Sequence, residues 1–276
     1  MLEGSYIVKN FSIVANGDAR FEHTKVYEVI RFVNGLPLFF DAHLARFKQS
    51  CKLAALDCSV SSSLLADLLV QLAIKCNVQN CNLKYFLSVE DNEATFYAGF
   101  IKSSYPSPTM YNEGVRVGVI FQERSNPNAK IDNSLLRDSA NRLIAEQDLY
   151  EVALVNHLGC ITEGSRSNLF FVDSDGKLLT SPISEVLGGI TREVVLEEVA
   201  ALGYTLEHRN VALSEIPAMK AAFITGTSPE VLPIAWFNGV SLDASNQLVR
   251  KIGKCYKKRV EEELHSFQNR YLYNRK

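Results

Sequence analysis

The sequence is short of the features that would settle its class at a glance. No uninterrupted apolar run is long enough for a bilayer-spanning helix. The first residues, MLEGSYIVKN, have neither a basic start nor an extended apolar stretch, so no secretory leader is expected. An excess of one charge is also missing: 29 Lys and Arg stand against 31 Asp and Glu, a net charge of −2. Such a balance gives no global field that would draw nucleic acid or an anionic membrane surface. Six cysteines, at 51, 58, 76, 81, 160 and 255, include no CxxC pair. That spacing argues against a disulfide framework or a zinc site and predicts buried, reduced thiols. A GxSxG elbow, an HExxH helix and a Walker loop are all absent. These absences predict a soluble, cytoplasmic protein with no nucleic-acid partner, no membrane partner and no metal.

What is present is enough apolar material for a sizeable core: 47% of 276 residues. The strand-like runs Tyr6–Val14 and Val26–Val33 come first, and Asn34-Gly35 after the second is a strong hairpin signal that predicts Leu36–Phe40 returning antiparallel. Asp41 reads as an N-cap for a helix carrying Leu44, Phe47 and Cys51 on one face, and Ser62–Cys76 as a second helix. Leu83–Val89 and Thr95–Ile101 read as a strand pair. The Pro/Ser-rich stretch Ser103–Pro108 marks an approach to a boundary. Two domains are therefore expected, a small α+β domain over 1–112 and a larger one over 113–276. The second opens on the strand Val115–Phe121 and closes on a long amphipathic helix, Ala244–Phe267, whose Lys and Glu predict a solvated face.

The stretch Val152–Ile190 carries most of the chemical signal. It predicts strand, polar turn, strand, with Thr162–Asn168 as the turn and Glu163 as a carboxylate near its start. Leu187-Gly188-Gly189-Ile190-Thr191 puts two glycines at the mouth of a helix, where backbone N–H groups and the helix dipole favour an anion. Thr225-Gly226-Thr227-Ser228 is a second candidate phosphate cradle. Lys130 lies just before a helix, where a lysine can serve as a Schiff-base amine; read alone, it is an ordinary solvated charge. Arg46 could clamp a phosphate or simply pair with Asp41 at the surface, and His43 could be a packing or capping residue.

The order of these pieces is more specific than any of them. Tyr27-Glu28-Val29-Ile30, His43-Leu44-Ala45-Arg46-Phe47, Lys130 with Asn133, Thr162-Glu163-Gly164-Ser165, Ser167-Asn168-Leu169-Phe170, Leu187–Arg192 and Thr225–Ser228 follow one another along nearly the whole chain. This succession resembles the class-IV (fold-type IV) pyridoxal-phosphate enzymes, a family of branched-chain aminotransferases, D-amino-acid aminotransferases and aminodeoxychorismate lyases. The resemblance implies a small α+β domain beside a larger pseudo-barrel domain, with pyridoxal 5'-phosphate as cofactor, and a homodimer. It implies that Lys130 binds the cofactor covalently and shuttles the proton, and that Glu163 pairs with the pyridine nitrogen. By the same resemblance Leu187 packs on the ring, Ser167 lies near it, and Arg46, Ile190, Thr191 and Thr227 take the phosphate.

Tyr27, Lys84 and Ser228 are the expected substrate contacts. Two departures leave the substrate open. Glu22-His23-Thr24-Lys25 stands where family members often carry a Gly-rich F-G-D-G stretch, and "LKYFLSVEDNEA" lacks the carboxylate-trapping arginine of the D-amino-acid enzymes. The expected reaction is transamination of an amino acid, branched-chain or hydrophobic favoured, with a 2-keto acid. Pyruvate-releasing elimination of the aminodeoxychorismate type, a D-amino-acid aminotransferase and a cofactor-binding homologue without turnover are the alternatives.

Overall fold

The computed structural model describes residues 2–17, 24–91, 93–124, 130 and 134–273. The chain divides into two compact units: Met1–Ser104 with Ala129–Asp132 and Arg259–Lys276, and Tyr105–Asn128 with Asn133–Lys258. This differs from a division at residue 112, because the chain's last segment belongs with its first.

The first unit is an antiparallel six-stranded sheet in the order Ser12–Ala15, Glu3–Lys9, Glu93–Ile101, Cys81–Glu90, Thr24–Val33, Leu36–Pro37. The run expected as one strand over Tyr6–Val14 is instead a hairpin, turned by Asn10 and Phe11, both at positive φ. Phe11 stacks on Phe96 at 4.8 Å between ring centroids, a contact that offsets the cost of its left-handed backbone. Asn34-Gly35, at φ 52° and 75°, forms the tight turn its sequence predicts, although the returning strand is only Leu36–Pro37.

Helices Phe40–Leu53 and Ser62–Lys75 cover one face of this sheet, packing Leu44, Phe47, Leu65, Leu69 and Leu72 against Ile30, Phe32, Leu83, Tyr85 and Phe96. Asp41 is not the N-cap. The cap is Phe39, and Asp41 in the first turn receives Arg270 and the Tyr271 hydroxyl. Phe267 and Tyr271 close the core edge-on over Phe40, with centroids 5.6 and 5.3 Å away. The last helix, Gln247–Phe267, is thus amphipathic as expected: Lys251, Lys254, Lys257, Lys258, Glu261 and Glu262 are exposed, while Leu264, Phe267 and, in the turn beyond, Tyr271 face the core.

The second unit is a mixed sheet ordered Leu206–His208, Leu178–Thr180, Asn168–Val172, Ala221–Gly226, Glu230–Phe237, Val115–Phe121, Glu151–Val155, Cys160–Gly164, Val211–Ala212, with Val240–Ser241 paired to Glu230–Phe237. Several of its strands, Glu151–Val155, Asn168–Val172 and Leu178–Thr180, are buried along their whole length, as expected where elements cover both faces. Cys160–Gly164 is buried from Ile161 onward, so Glu163 lies on a strand and the polar turn is confined to 165–167. The Pro/Ser-rich stretch supplies Ser107 as cap of a short helix, Pro108–Glu113. All six cysteines are free, and Cys51 among them is fully buried. Together the two units make an α+β fold. Among the described residues no helix is long and apolar enough to cross a membrane, and no cluster of His, Cys, Asp or Glu could hold a metal ion.

Candidate active site

Each unit brings part of the expected residue set together. In the first, strand alternation sends Val26, Glu28 and Ile30 to the helix-covered face and Tyr27 to the other. A carboxylate at that parity is buried completely, so it needs partners. They come from the first helix, where His43 and Arg46, three residues apart, point the same way. Arg46 donates from Nε to Glu28 Oε1 and from Nη2 to Oε2, both at 2.7 Å. His43 Nδ1 lies 2.8 Å from Oε2. Burial by itself would raise the Glu28 pKa, but Arg46 and then His43 outweigh it and hold the carboxyl at about 2. Burial pushes the His43 imidazole down, against the pull of Glu28. Arg46 is thus no surface partner of Asp41.

On the opposite face Tyr27 is the centre. The Lys130 main chain is held by a strand and a helix: its carbonyl accepts from Tyr27 N–H at 3.2 Å, and its N–H donates to Ser50 Oγ on Phe40–Leu53 at 3.3 Å. The Lys130 ammonium lies 4.9 Å from the Tyr27 ring centroid. Lys84, from the adjacent strand, stands 4.9 Å from the same ring and 5.0 Å from Phe86. Asn133 and the Glu22-His23 part of the departing stretch lie outside the described residues.

In the second unit Glu163 is 2% exposed and ion-paired, its Oε1 2.7 Å from Arg124 Nε. Its Oε2 accepts from the Leu187 N–H at 3.1 Å. Leu187 is also tied through its carbonyl, which receives Asn168 Nδ2 at 2.9 Å. Gly189 allows this approach, because a Cβ there would stand 2.0 Å from Asn168 Oδ1. Helix Ile190–Ala201 then starts at Gly189 with no side-chain cap, leaving the Ile190 and Thr191 end of the dipole for an anion. Thr227 and Ser228 sit in the half-buried turn between the paired strands Ala221–Gly226 and Glu230–Phe237. Asn168 pairs with Thr225, which sets this turn beside the Ser165–Ser167 turn. The Thr225 hydroxyl is buried with no hydrogen-bond partner among the described residues.

The Ser167 hydroxyl donates to Glu151 Oε2 at 2.8 Å. Glu151, 4% exposed, also accepts from Ser165 Oγ at 2.6 Å and from the N–H groups of Val152 and Arg166 at 2.9 and 3.2 Å. Sequence reasoning assigned no role to Glu151, Arg124 or Glu28, and named Thr225 only as part of the second phosphate cradle. For Glu28 a signal existed, a carboxylate in phase with Val26 and Ile30.

A family model described as Amino-transferase class IV matches residues 25–236. The chain is similar to a D-alanine aminotransferase of Bacillus licheniformis, 27% identical over 230 residues that cover 79% of this chain and 80% of that protein. It is likewise similar to a protein of Thermotoga maritima named "Probable branched-chain-amino-acid aminotransferase", 31% identical over 219 residues, 77% of each chain. In fold it is similar to the solved branched-chain aminotransferase of Thermoproteus uzoniensis with norvaline. That match has a TM-score of 0.83 at 22% identity and covers 97% of this chain and 98% of the other.

Proposed function

Because the chain belongs to the class IV aminotransferase family, we propose that it is a pyridoxal-phosphate enzyme that moves an amino group between an amino acid, branched-chain or otherwise hydrophobic, and a 2-keto acid. The observation that carries this reading is the pairing, three residues apart, of a carboxylate anchored at the Leu187 amide with the uncapped helix start at Ile190. The first suits a protonated ring nitrogen and the second a phosphate, the two ends of one cofactor.

The residues fit that group on their own chemistry. Gly189 keeps the cradle open where a Cβ would collide with Asn168, and the orphaned Thr225 hydroxyl lies at the foot of the second cradle. When bound, pyridoxal phosphate supplies an electron sink for the bond broken at the substrate α-carbon. Glu163 holds the ring nitrogen's proton, with Arg124 and the Leu187 amide fixing the carboxylate's orientation. Arg46, Ile190, Thr191 and Thr227 bind the phosphate, Leu187 covers the ring, and Ser167 shapes the turn beside it through Glu151. Lys130 Nζ provides the covalent anchor and then carries the proton from the substrate α-carbon. Tyr27 gives an apolar wall, and Lys84 on that aromatic surface, together with Ser228, takes the substrate carboxylate. We infer further that the enzyme is a cytoplasmic homodimer, read out by light scattering of the purified protein.

Absorbance of the purified protein titrated with pyridoxal phosphate tests the cofactor. A visible band is expected, and it should be missing from Lys130→Ala. Panels of L- and D-amino acids are then added. Bleaching of the band by hydrophobic L-amino acids with release of the keto acid is the expected result, whereas bleaching only by D-amino acids reverses the handedness. Pyruvate released without a keto-acid acceptor would replace transamination by elimination, and no band at all would sink the cofactor assignment.

A further inference from the structure

Glu28 is a poor candidate for a purely stabilising device. A buried ion pair is often no more favourable than apolar residues of the same volume, because desolvation of both charges consumes the attraction. What its geometry does provide is orientation. Glu28 takes Nε and Nη2 of Arg46 with its two oxygens, a two-point contact that fixes the plane of the guanidinium as well as its position. The strand partner of Glu28 is Tyr85, fully buried against Phe47, so the carboxylate cannot swing away. His43 adds a third bond at Oε2. The Arg46 side chain remains 14% exposed, so it is held from behind by a group with no exposure of its own.

We propose that Glu28 is a positioning residue: it orients Arg46 to receive the cofactor phosphate. This rests on the assignment of Arg46 to the phosphate made above. The charge of Glu28 also offsets a local excess of cations, since Arg46, Lys130 and His43 all act on this cluster.

The test is equilibrium binding to apoprotein, followed by absorbance or quenching of the protein's fluorescence, with pyridoxal 5'-phosphate compared against pyridoxal, which lacks the phosphate. The quantity read is the ratio of the two affinities. If Glu28 acts through Arg46, Glu28→Gln lowers that ratio roughly 10- to 100-fold, in line with loss of a well-aligned charged hydrogen bond, while pyridoxal affinity stays as in the wild type. A merely structural role would weaken both ligands alike and overturn the proposal. Should Glu28→Gln fail to fold, Glu28→Asp gives the same reading, because the carboxylate keeps its charge but, one methylene shorter on a fixed strand, is drawn back from the guanidinium; an unchanged ratio there overturns the proposal too. Arg46→Gln separates the layers. If it lowers the ratio and the Glu28 variants do not, Glu28 has no positioning role. If Arg46→Gln itself leaves the ratio untouched, the phosphate assignment fails, and the proposal falls with it. In an Arg46→Gln background, Glu28→Gln should produce no further change in the ratio.

Discussion

Glu28 in the first unit and Glu151 in the second are both strand carboxylates, 0% and 4% exposed, and they are satisfied by different kinds of donor. Glu28 is held by charged or chargeable side chains from a helix, Arg46 and His43. Glu151 is held by two hydroxyls and two backbone N–H groups, three of the four from the turn 165–167. The first arrangement transfers orientation to a cation on another element. The second transfers it to a loop, pulling Ser165 and Ser167 inward so that Asn168 enters its strand beside the Leu187 segment. A buried carboxylate is costly alone in either setting, and the donor set decides what it organises.

The sharpest way to break the comparison is to neutralise each carboxylate in turn. Glu28→Gln leaves Arg46 buried against an uncharged partner and should cost about 3–5 kcal/mol of stability in urea unfolding. Glu151→Gln removes charge from a site whose donors are neutral, so the loss should be smaller, about 1–3 kcal/mol. Equal losses would mean that donor charge is irrelevant. Between these in interest is Gly189→Ala, whose methyl would meet Asn168 Oδ1 at 2.0 Å and force it away from the Leu187 carbonyl. Overpacking of this kind costs about 1–3 kcal/mol, and pyridoxal-phosphate affinity should fall with it. Ser167→Ala deletes one of four bonds to Glu151 and should cost about 1 kcal/mol. The acid limb of the stability curve sharpens the contrast further. The Glu28 carboxyl is held at about 2, below its ordinary 4.5. Its contribution is thus complete above that ordinary value and lost as pH falls through the folded one. The stability gap between wild type and Glu28→Gln should therefore narrow steadily on acidification below pH 4.5, and a gap independent of pH would contradict the ion pair.

Much of this architecture could be read locally. Asn34-Gly35, the alternation of Val26–Val33 and the helix faces of Leu44, Phe47 and Cys51 each carry their own signal, and each forms in the structure. What failed had tertiary causes. Glu163 was expected in a turn because Thr162–Asn168 is polar, yet Cys160–Gly164 is a strand buried from Ile161 onward, with the Thr162 hydroxyl bonded to the Leu154 carbonyl and the Glu163 carboxylate to the Leu187 amide. For the closing helix the sequence signalled an amphipathic element with a solvated Lys/Glu face, which forms, but not the unit its apolar face would cover. Leu264, Phe267 and Tyr271, spaced by three and four, form the stripe that packs into the first unit's core. The site residues named from the family resemblance gave no hint of Arg124 or Glu151, because an ion pair across 39 residues and a carboxylate under a turn leave no local pattern.

The return of residues 259–273 to the first unit bears on how the protein is made. Phe40 waits for Phe267 and Tyr271 to cover it. A ribosome delivers these aromatic rings only after the whole of the second unit has emerged. The first unit must therefore spend most of translation with its hydrophobic interior open at Phe40, a period in which a chaperone would find a ready site. The second unit, continuous apart from residues 129–132 and complete by Lys258, has no such wait, so the order of completion along the nascent chain is the reverse of the order of the two amino-terminal beginnings.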